Sequence, residues 1–226
     1  MWYAALQGPT LDMNRNRRCE MRKLQTILAI GAHPDDIELG CGGSIAKFAE
    51  CGTHVRALVL SNGAVGNRHN TDRLQETTEA LALLGVTDVH TEDFPDTKMY
   101  NHLTEIITFI EGHSNAIKPD RVYTMFERDK HQDHRTAFEA SVVACRPAGQ
   151  IICYETPSSW TNFTPQVFEG FDERVLDKKI AALALHTSQC DRPYTQPNVM
   201  RDLAHFRGQL VGIGPAEAFI AYKLVL

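Results

Sequence analysis

Residues 27–48 read ILAIGAHPDDIELGCGGSIAKF. The first part is a run of Ile, Leu and Ala that ends in Gly31-Ala32. A short, dense apolar run closed by glycine marks a strand buried on both faces. His33, Pro34, Asp35 and Asp36 come next. From Ile37 the apolar spacing turns helical and runs to Gly52, which sits where a C′ glycine ends a helix. A buried strand that surfaces onto an imidazole and two adjacent carboxylates, then becomes a helix, is the opening unit of an α/β protein.

The alternation continues along the chain. Strands are predicted over 25–32, 54–60, 89–94, 121–126, 151–155 and 218–226. Helices are predicted over 37–51, 72–84, 102–117, 131–145, 173–186 and 199–211. This order predicts one domain over 24–226: a Rossmann-like, doubly wound, mostly parallel sheet with helices on both faces. Right-handed crossovers then set the first and fourth strands side by side. Residues 156–172 carry no clear period and are expected to form a lid or wall over a site. Residues 1–23 are expected to be a flexible extension, with five basic residues against two acidic ones.

Bulk properties narrow the function class. The 226 residues suit one sizeable domain, and 43% apolar content supports a full core. A net charge of −5 argues against nucleic acid or an anionic membrane as partner. No apolar run approaches the roughly 20 residues of a membrane span, and the N-terminus lacks the pattern of a signal peptide. The six cysteines form no CxxC pair, so free thiols in a cytoplasmic protein are the expectation.

Two polar clusters should meet. His33-Pro34-Asp35-Asp36 ends the first strand, and Arg128-Asp129-Lys130-His131-Gln132-Asp133-His134-Arg135 follows the fourth. Ligands of open α/β sheets bind beyond the carboxyl ends of the strands, where the strand order switches. Histidines and carboxylates converging there suit a catalytic metal, which takes three such ligands and keeps one position for water. His131 and His134 share a face three residues apart. A plainer reading also exists for each cluster alone: Asp35 or Asp36 as an ordinary helix-starting acid, and Asp129 with Gln132 as a variant capping box. Gly40-Cys41-Gly42-Gly43 does not make a dinucleotide site, because His-Pro-Asp-Asp occupies the turn that a G-x-G-x-x-G motif would need. Its glycines are expected to let the helix pack closely on the sheet.

AHPDD followed by GCGG, with HQDH at 131–134, resembles the N-acetylglucosaminyl deacetylase family, also called PIG-L or LmbE-like. GAVG at 63–66 with Arg73 and Glu76, KKIAALALHTSQ at 178–189 and AEAF at 216–219 are similar to its further motifs. The resemblance implies a zinc-dependent de-N-acetylase in which His33, Asp36 and His134 bind the ion. It implies Asp35 as general base on a metal-bound water, His131 as acid or oxyanion partner, and Asp133 as the residue orienting His131. Other divalent transition metals suit the same ligands. Three positions depart from the common pattern: Gln132 for proline, Ala64 for glutamate, and Asp129 for a tyrosine.

The implied substrate is an N-acetyl amino sugar or its conjugate. Arg68 and Asp96, in loops after the second and third strands, are candidate sugar contacts. Tyr154 and Trp160 are candidates to stack on a ring, or to pack in the core or wall. His186 is expected behind the site rather than on the ion. The resemblance allows a homo-oligomer without fixing one. Two other readings stay open: a metal-dependent hydrolase of an ester or phosphoester, and a non-catalytic metal- or sugar-binding module.

Overall fold

The computed structural model describes residues 24–67 and 69–225. The expected extension over 1–23 and the candidate Arg68 lie outside the described residues. Among the described residues, seven strands form one sheet: β1 (Thr26–Gly31), β2 (His54–Val59), β3 (Asp88–Thr91), β4 (Arg121–Thr124), β5 (Gln150–Tyr154), β6 (Val167–Gly170) and β7 (Ala216–Leu224). Their spatial order is β3-β2-β1-β4-β5-β7-β6. The first five pair in parallel, and β7 runs antiparallel to both β5 and β6. The α-helices among the described residues are α1 (Asp36–Glu50), α2 (Arg73–Leu83), α3 (Leu103–Ile117), α4 (Gln132–Ala144), α5 (Glu173–Leu183) and α6 (Pro197–Gln209). Helices α1 and α2 pack with α5, and α3 packs with α4, one layer on each face of the sheet.

The chain is thus a single α/β domain with a mostly parallel sheet. Ile27, Leu28, Ala29 and Ile30 of β1 are fully buried, which is why that strand reads as a continuous apolar run rather than an alternation. One element departs from the expectation. Residues 156–172, read as patternless, contain β6. That strand has four half-buried residues at the sheet edge, too short to show a period of two.

Helix α1 owes its position to its glycines. A Cβ on Gly40 would lie 2.0 Å from the ring of Tyr154. Tyr154 itself is fully buried and donates to Ile30 O at 2.7 Å. One residue further, Cys41 leaves helical geometry (φ −142°, ψ 17°). The amides of Gly43 and Ser44 then turn to the Glu217 carboxylate of β7, each at 2.8 Å. A helix start exposes such amides, and a carboxylate is their natural partner. Lys179 of α5 donates to Glu217 Oε1 at 2.6 Å and to Leu39 O at 2.8 Å. The kinked helix is therefore fastened to strand and neighbour at its bend, and its first turn is held over the end of β1.

Gly40→Ala is expected to lower unfolding stability by about 1–3 kcal/mol, the range for overpacking a filled core. Denaturant unfolding measures it; an unchanged midpoint would mean that Tyr154 can swing away at no cost.

Candidate metal centre

Strands β1 and β4 lie side by side in the register Ile27↔Arg121, Leu28↔Val122, Ala29↔Tyr123. The loops leaving their carboxyl ends therefore meet. His33 Nδ1 lies 3.4 Å from Asp36 Oδ2. Its Nε2 lies 3.3 Å from Asp96 Oδ1 and 3.2 Å from Asp133 Oδ2. The other Asp36 oxygen is 3.4 Å from His134 Nε2. Ring centroids are 4.7 Å apart for His33–His131 and for His131–His134. His33, His131 and His134 bring one ring nitrogen each within 4.8 Å of one another, and His33, Asp96, His131 and Asp133 do the same with one atom each. Residues read a hundred positions apart thus share one pocket.

The turn after β1 is made by backbone strain and a clamp. Asp35 has φ 103° and ψ −22°, a conformation non-glycine residues avoid. It occupies the N-cap position of α1, yet its side chain makes no capping bond, so the plain helix-start reading does not fit it. Arg73, at the start of α2, donates to Pro34 O at 2.6 Å and to Gly63 O at 2.8 Å. The same guanidinium lies 3.6 Å from Asp35 Oδ1. Asp36 bends back the other way, accepting from the His33 amide at 2.7 Å.

The second cluster is arranged differently from its sequence reading. The capping residue of α4 is His131, whose Nδ1 accepts from the Asp133 amide at 3.3 Å. Asp129 is not the cap. Its carboxylate accepts from the His131 amide at 2.8 Å, Thr156 Oγ1 at 2.6 Å and Ser158 Oγ at 2.5 Å. It also lies 3.1 Å from His134 Nδ1. The Asp133 carboxylate, expected to face His131, faces His33 instead. The amides of Thr97 and Met99 hold it there at 2.6 and 3.2 Å. Asp133 reaches His131 through its own backbone amide.

Electrostatics divide these groups. Burial opposes charge on His33, but its bonds to Asp133, Asp36 and Asp96 outweigh this and lift its pKa well above the ordinary value. Burial also opposes charge on Asp36, yet His134 and His33 hold its carboxyl below the usual range. Asp129 is brought down to about 2 in spite of burial, chiefly by His134. Asp35 moves the opposite way: burial and the neighbouring Asp36 charge push it up to about 6, against the pull of Arg73 and His186. His131 is held below its ordinary value by burial and by the adjacent His33 and His134 rings.

A cavity of about 450 Å³ opens over these groups, lined among others by His33, Asp35, Asp36, Asp96, His131 and His134. The donor set fits a divalent cation. Nitrogen and carboxylate donors converge from several directions, and Asp129 fixes the far nitrogen of His134 as carboxylates do behind metal-bound histidines. Asp96 lines the cavity, with its second oxygen taken by the Val65 amide at 2.8 Å. Tyr154 is core. Trp160 is 54% exposed on a neighbouring groove. His186 lies behind the site, 2.9 Å from Glu38 Oε1. Sequence reading placed Asp129 in the second cluster only as a capping candidate and Arg73 only in a supporting motif; the partner of each at the site, and its direction, were not legible.

Residues 28–145 match the family described as GlcNAc-PI de-N-acetylase, PIG-L. The chain is 46% identical over 171 residues to the uncharacterized deacetylase YaiS of Escherichia coli (strain K12), covering 74% of this chain and 92% of that protein. It is 28% identical over 222 residues to diacetylchitobiose deacetylase of Thermococcus kodakarensis, covering 86% and 82%. The conserved protein TT1542 of Thermus thermophilus superposes with a TM-score of 0.77 at 25% identity, over 90% of this chain and 96% of that one. The chain belongs to the PIG-L family.

Asp129→Ala should weaken metal affinity by roughly 10–100-fold, the usual effect of losing a carboxylate behind a ligating histidine. Competition with a chromogenic chelator reads this; unchanged affinity would show that Ser158, 3.2 Å from the same nitrogen, suffices alone.

Proposed function

We propose that this chain is a metal-dependent hydrolase, with zinc as its ion, that removes the acetyl group from an N-acetyl amino sugar or its conjugate. The carrying observation is the convergence of His33, Asp36 and His134 in one cavity with Asp35 and His131 beside them. Similarity to a diacetylchitobiose deacetylase supports the substrate class. The cavity size supports a small-molecule ligand, since such sites span roughly 300–1,000 Å³.

His33, Asp36 and His134 would hold the ion, which supplies Lewis acidity toward the acetyl oxygen and a more acidic water. The chain's own groups do the rest. Asp35 is the one aspartate of the pair with no histidine partner, and its raised pKa suits a proton acceptor near neutrality. It takes the proton of the attacking water. His131 has its Nδ1 occupied by the Asp133 amide, so its neutral ring offers Nε2–H to the oxygen that gains charge. Its depressed pKa favours this role over that of acid. The proton held by Asp35 then passes to the nitrogen as the C–N bond breaks, giving acetate and the free amine. In this reading Asp133 keeps His33 oriented, and Asp96, on the cavity wall, takes a sugar hydroxyl.

Asp35→Asn should keep the metal and lose about 10²–10⁴-fold in turnover, whereas His134→Ala should lose metal as well. Acetate release from N-acetylglucosamine and its oligomers, with elemental analysis of each variant, decides. Full activity in Asp35→Asn would end the base assignment. In the wild type kcat/KM should fall as pH drops through the Asp35 pKa, at or below about 6, because a bound cation favours the carboxylate.

A further inference from the structure

A second group of side chains with ligating atoms lies on two segments whose neighbouring residues line the same cavity, and it has no part in the proposed reaction. His69, Cys190 and Asp191 each bring one ligating atom within 4.8 Å of the others, and all three are exposed. His69 Nε2 is 3.2 Å from Asp191 Oδ2. The Cys190 thiol faces Asp191 Oδ1 at 3.7 Å, and Cys190 is in no disulfide.

The two segments that carry them are already joined by other bonds. Glu76 of α2 accepts from Thr187 Oγ1 at 2.6 Å, Ser188 N at 3.0 Å and Ser188 Oγ at 2.5 Å. Gln189 Nε2 donates to Gly66 O at 3.3 Å. Asn67 and Thr71 close the turn around His69 with reciprocal bonds of 2.7 and 3.2 Å. An ion arriving here does not have to gather the loops, so little ordering entropy opposes it.

We propose that His69, Cys190 and Asp191 form a second, surface site for a thiophilic divalent ion of the zinc type, distinct from the buried centre. Imidazole, thiolate and carboxylate make a three-ligand set that such ions complete with water. Thiolate and carboxylate together carry the two negative charges that a dication balances, and a nearby metal favours the thiolate. The consequence is mechanical. Val65 and Gly66 on one segment, and Gln189 and Arg192 on the other, line the cavity. An ion tying His69 to Cys190 and Asp191 adds one more tie between walls already held together, and so opposes any widening of the entry. Excess metal therefore inhibits; this consequence for turnover rests on the hydrolase reading, whereas the binding site does not.

The test is a Co²⁺ titration of the full chain with its buried centre already loaded, for wild type, Cys190→Ser and His69→Ala. Bound ions are counted by elemental analysis, and the thiolate-to-cobalt charge-transfer band is followed in the near ultraviolet. Wild type should take up one ion more than Cys190→Ser and show the band; His69→Ala should need roughly tenfold more metal or beyond. Equal stoichiometry in wild type and Cys190→Ser, or a band that persists in Cys190→Ser, overturns the site. Both variants are at the surface and should keep basal acetate release while losing inhibition by excess zinc. An extra ion that binds without slowing turnover overturns the control of entry, and absence of any acetate release fails the hydrolase reading while leaving the titration to judge the site.

Discussion

The left-handed backbone at Asp35 is the constraint on which the site depends. A non-glycine residue at φ 103° costs on the order of 1–3 kcal/mol and persists only where its surroundings over-determine it. Here they do so from both sides. Arg73 takes the Pro34 and Gly63 carbonyls, Leu39 N already bonds to Asp35 O at 2.9 Å, and Asp36 locks onto the His33 amide. Arg73 can reach in because Gly63 and Gly66 have no side chains; a Cβ at either would come within 2.2 or 2.9 Å of its Nη1. The strained turn is what lets consecutive aspartates serve different partners: Asp36 the two histidines, Asp35 the open cavity and Arg73.

That division explains how neighbours of identical chemistry come to differ in acidity. The carboxylates of Asp35, Asp36, Asp96, Asp129 and Asp133 crowd around three imidazoles. Dense carboxylates normally rise in pKa until some are neutral. Four of the five stay low because they share His33 or His134. Asp35 shares neither, and it alone rises. Environments that push a pair of carboxyls apart in pKa are the usual way to obtain a fixed charge and a proton acceptor side by side. The same geometry accounts for His33: its ring sits among Asp36, Asp96 and Asp133 and keeps a proton more readily than usual, so the position favours positive charge. Metal binding would displace that proton.

Most of the sheet was legible because β1, β2, β4 and β5 are buried and separated by helices of unmistakable period. The meeting of β1 and β4, and hence of His33 with His131 and His134, followed from crossover handedness alone. The edge was not legible: β6 is four half-buried residues, and pairing with β7 rather than any local pattern makes it a strand. At the site, residue types and their clustering could be read, but not the direction of each side chain. Asp133 and Asp129 both flank His131, and sequence offers no means of telling which carboxylate faces which ring. The Thr97 and Met99 amides that draw Asp133 toward His33 come from a loop some thirty residues earlier, whose path depends on the packing of α3. Arg73 was equally hidden, since its target is the backbone of a turn far away in sequence.

Behind the cavity runs a layer of buried charge. Glu38 of α1 accepts from Thr77 at 2.6 Å and lies 2.9 Å from His186. Glu76 of α2 gathers Thr187 and Ser188. Glu217 of β7 holds Lys179 and the bend of α1. All three glutamates are answered by one stretch, residues 179–188. Such a layer is a poor way to gain stability, because burying ions costs about as much as their pairing returns, and well-packed apolar groups often do as well. Two of its atoms, Glu38 Oε2 and His186 Nδ1, have no hydrogen-bond partner among the described residues, each a cost of roughly 1–3 kcal/mol. What directional bonds provide and apolar contacts do not is a fixed register. With α5 and the turn after it grasping α1 and α2 at defined atoms, the first turn of α1 cannot slide against the start of α2, and Arg73 stays over Pro34. The stretch 178–189 therefore bears on the cavity through the geometry it imposes on the Asp35 turn, although it supplies none of the three histidines that converge there.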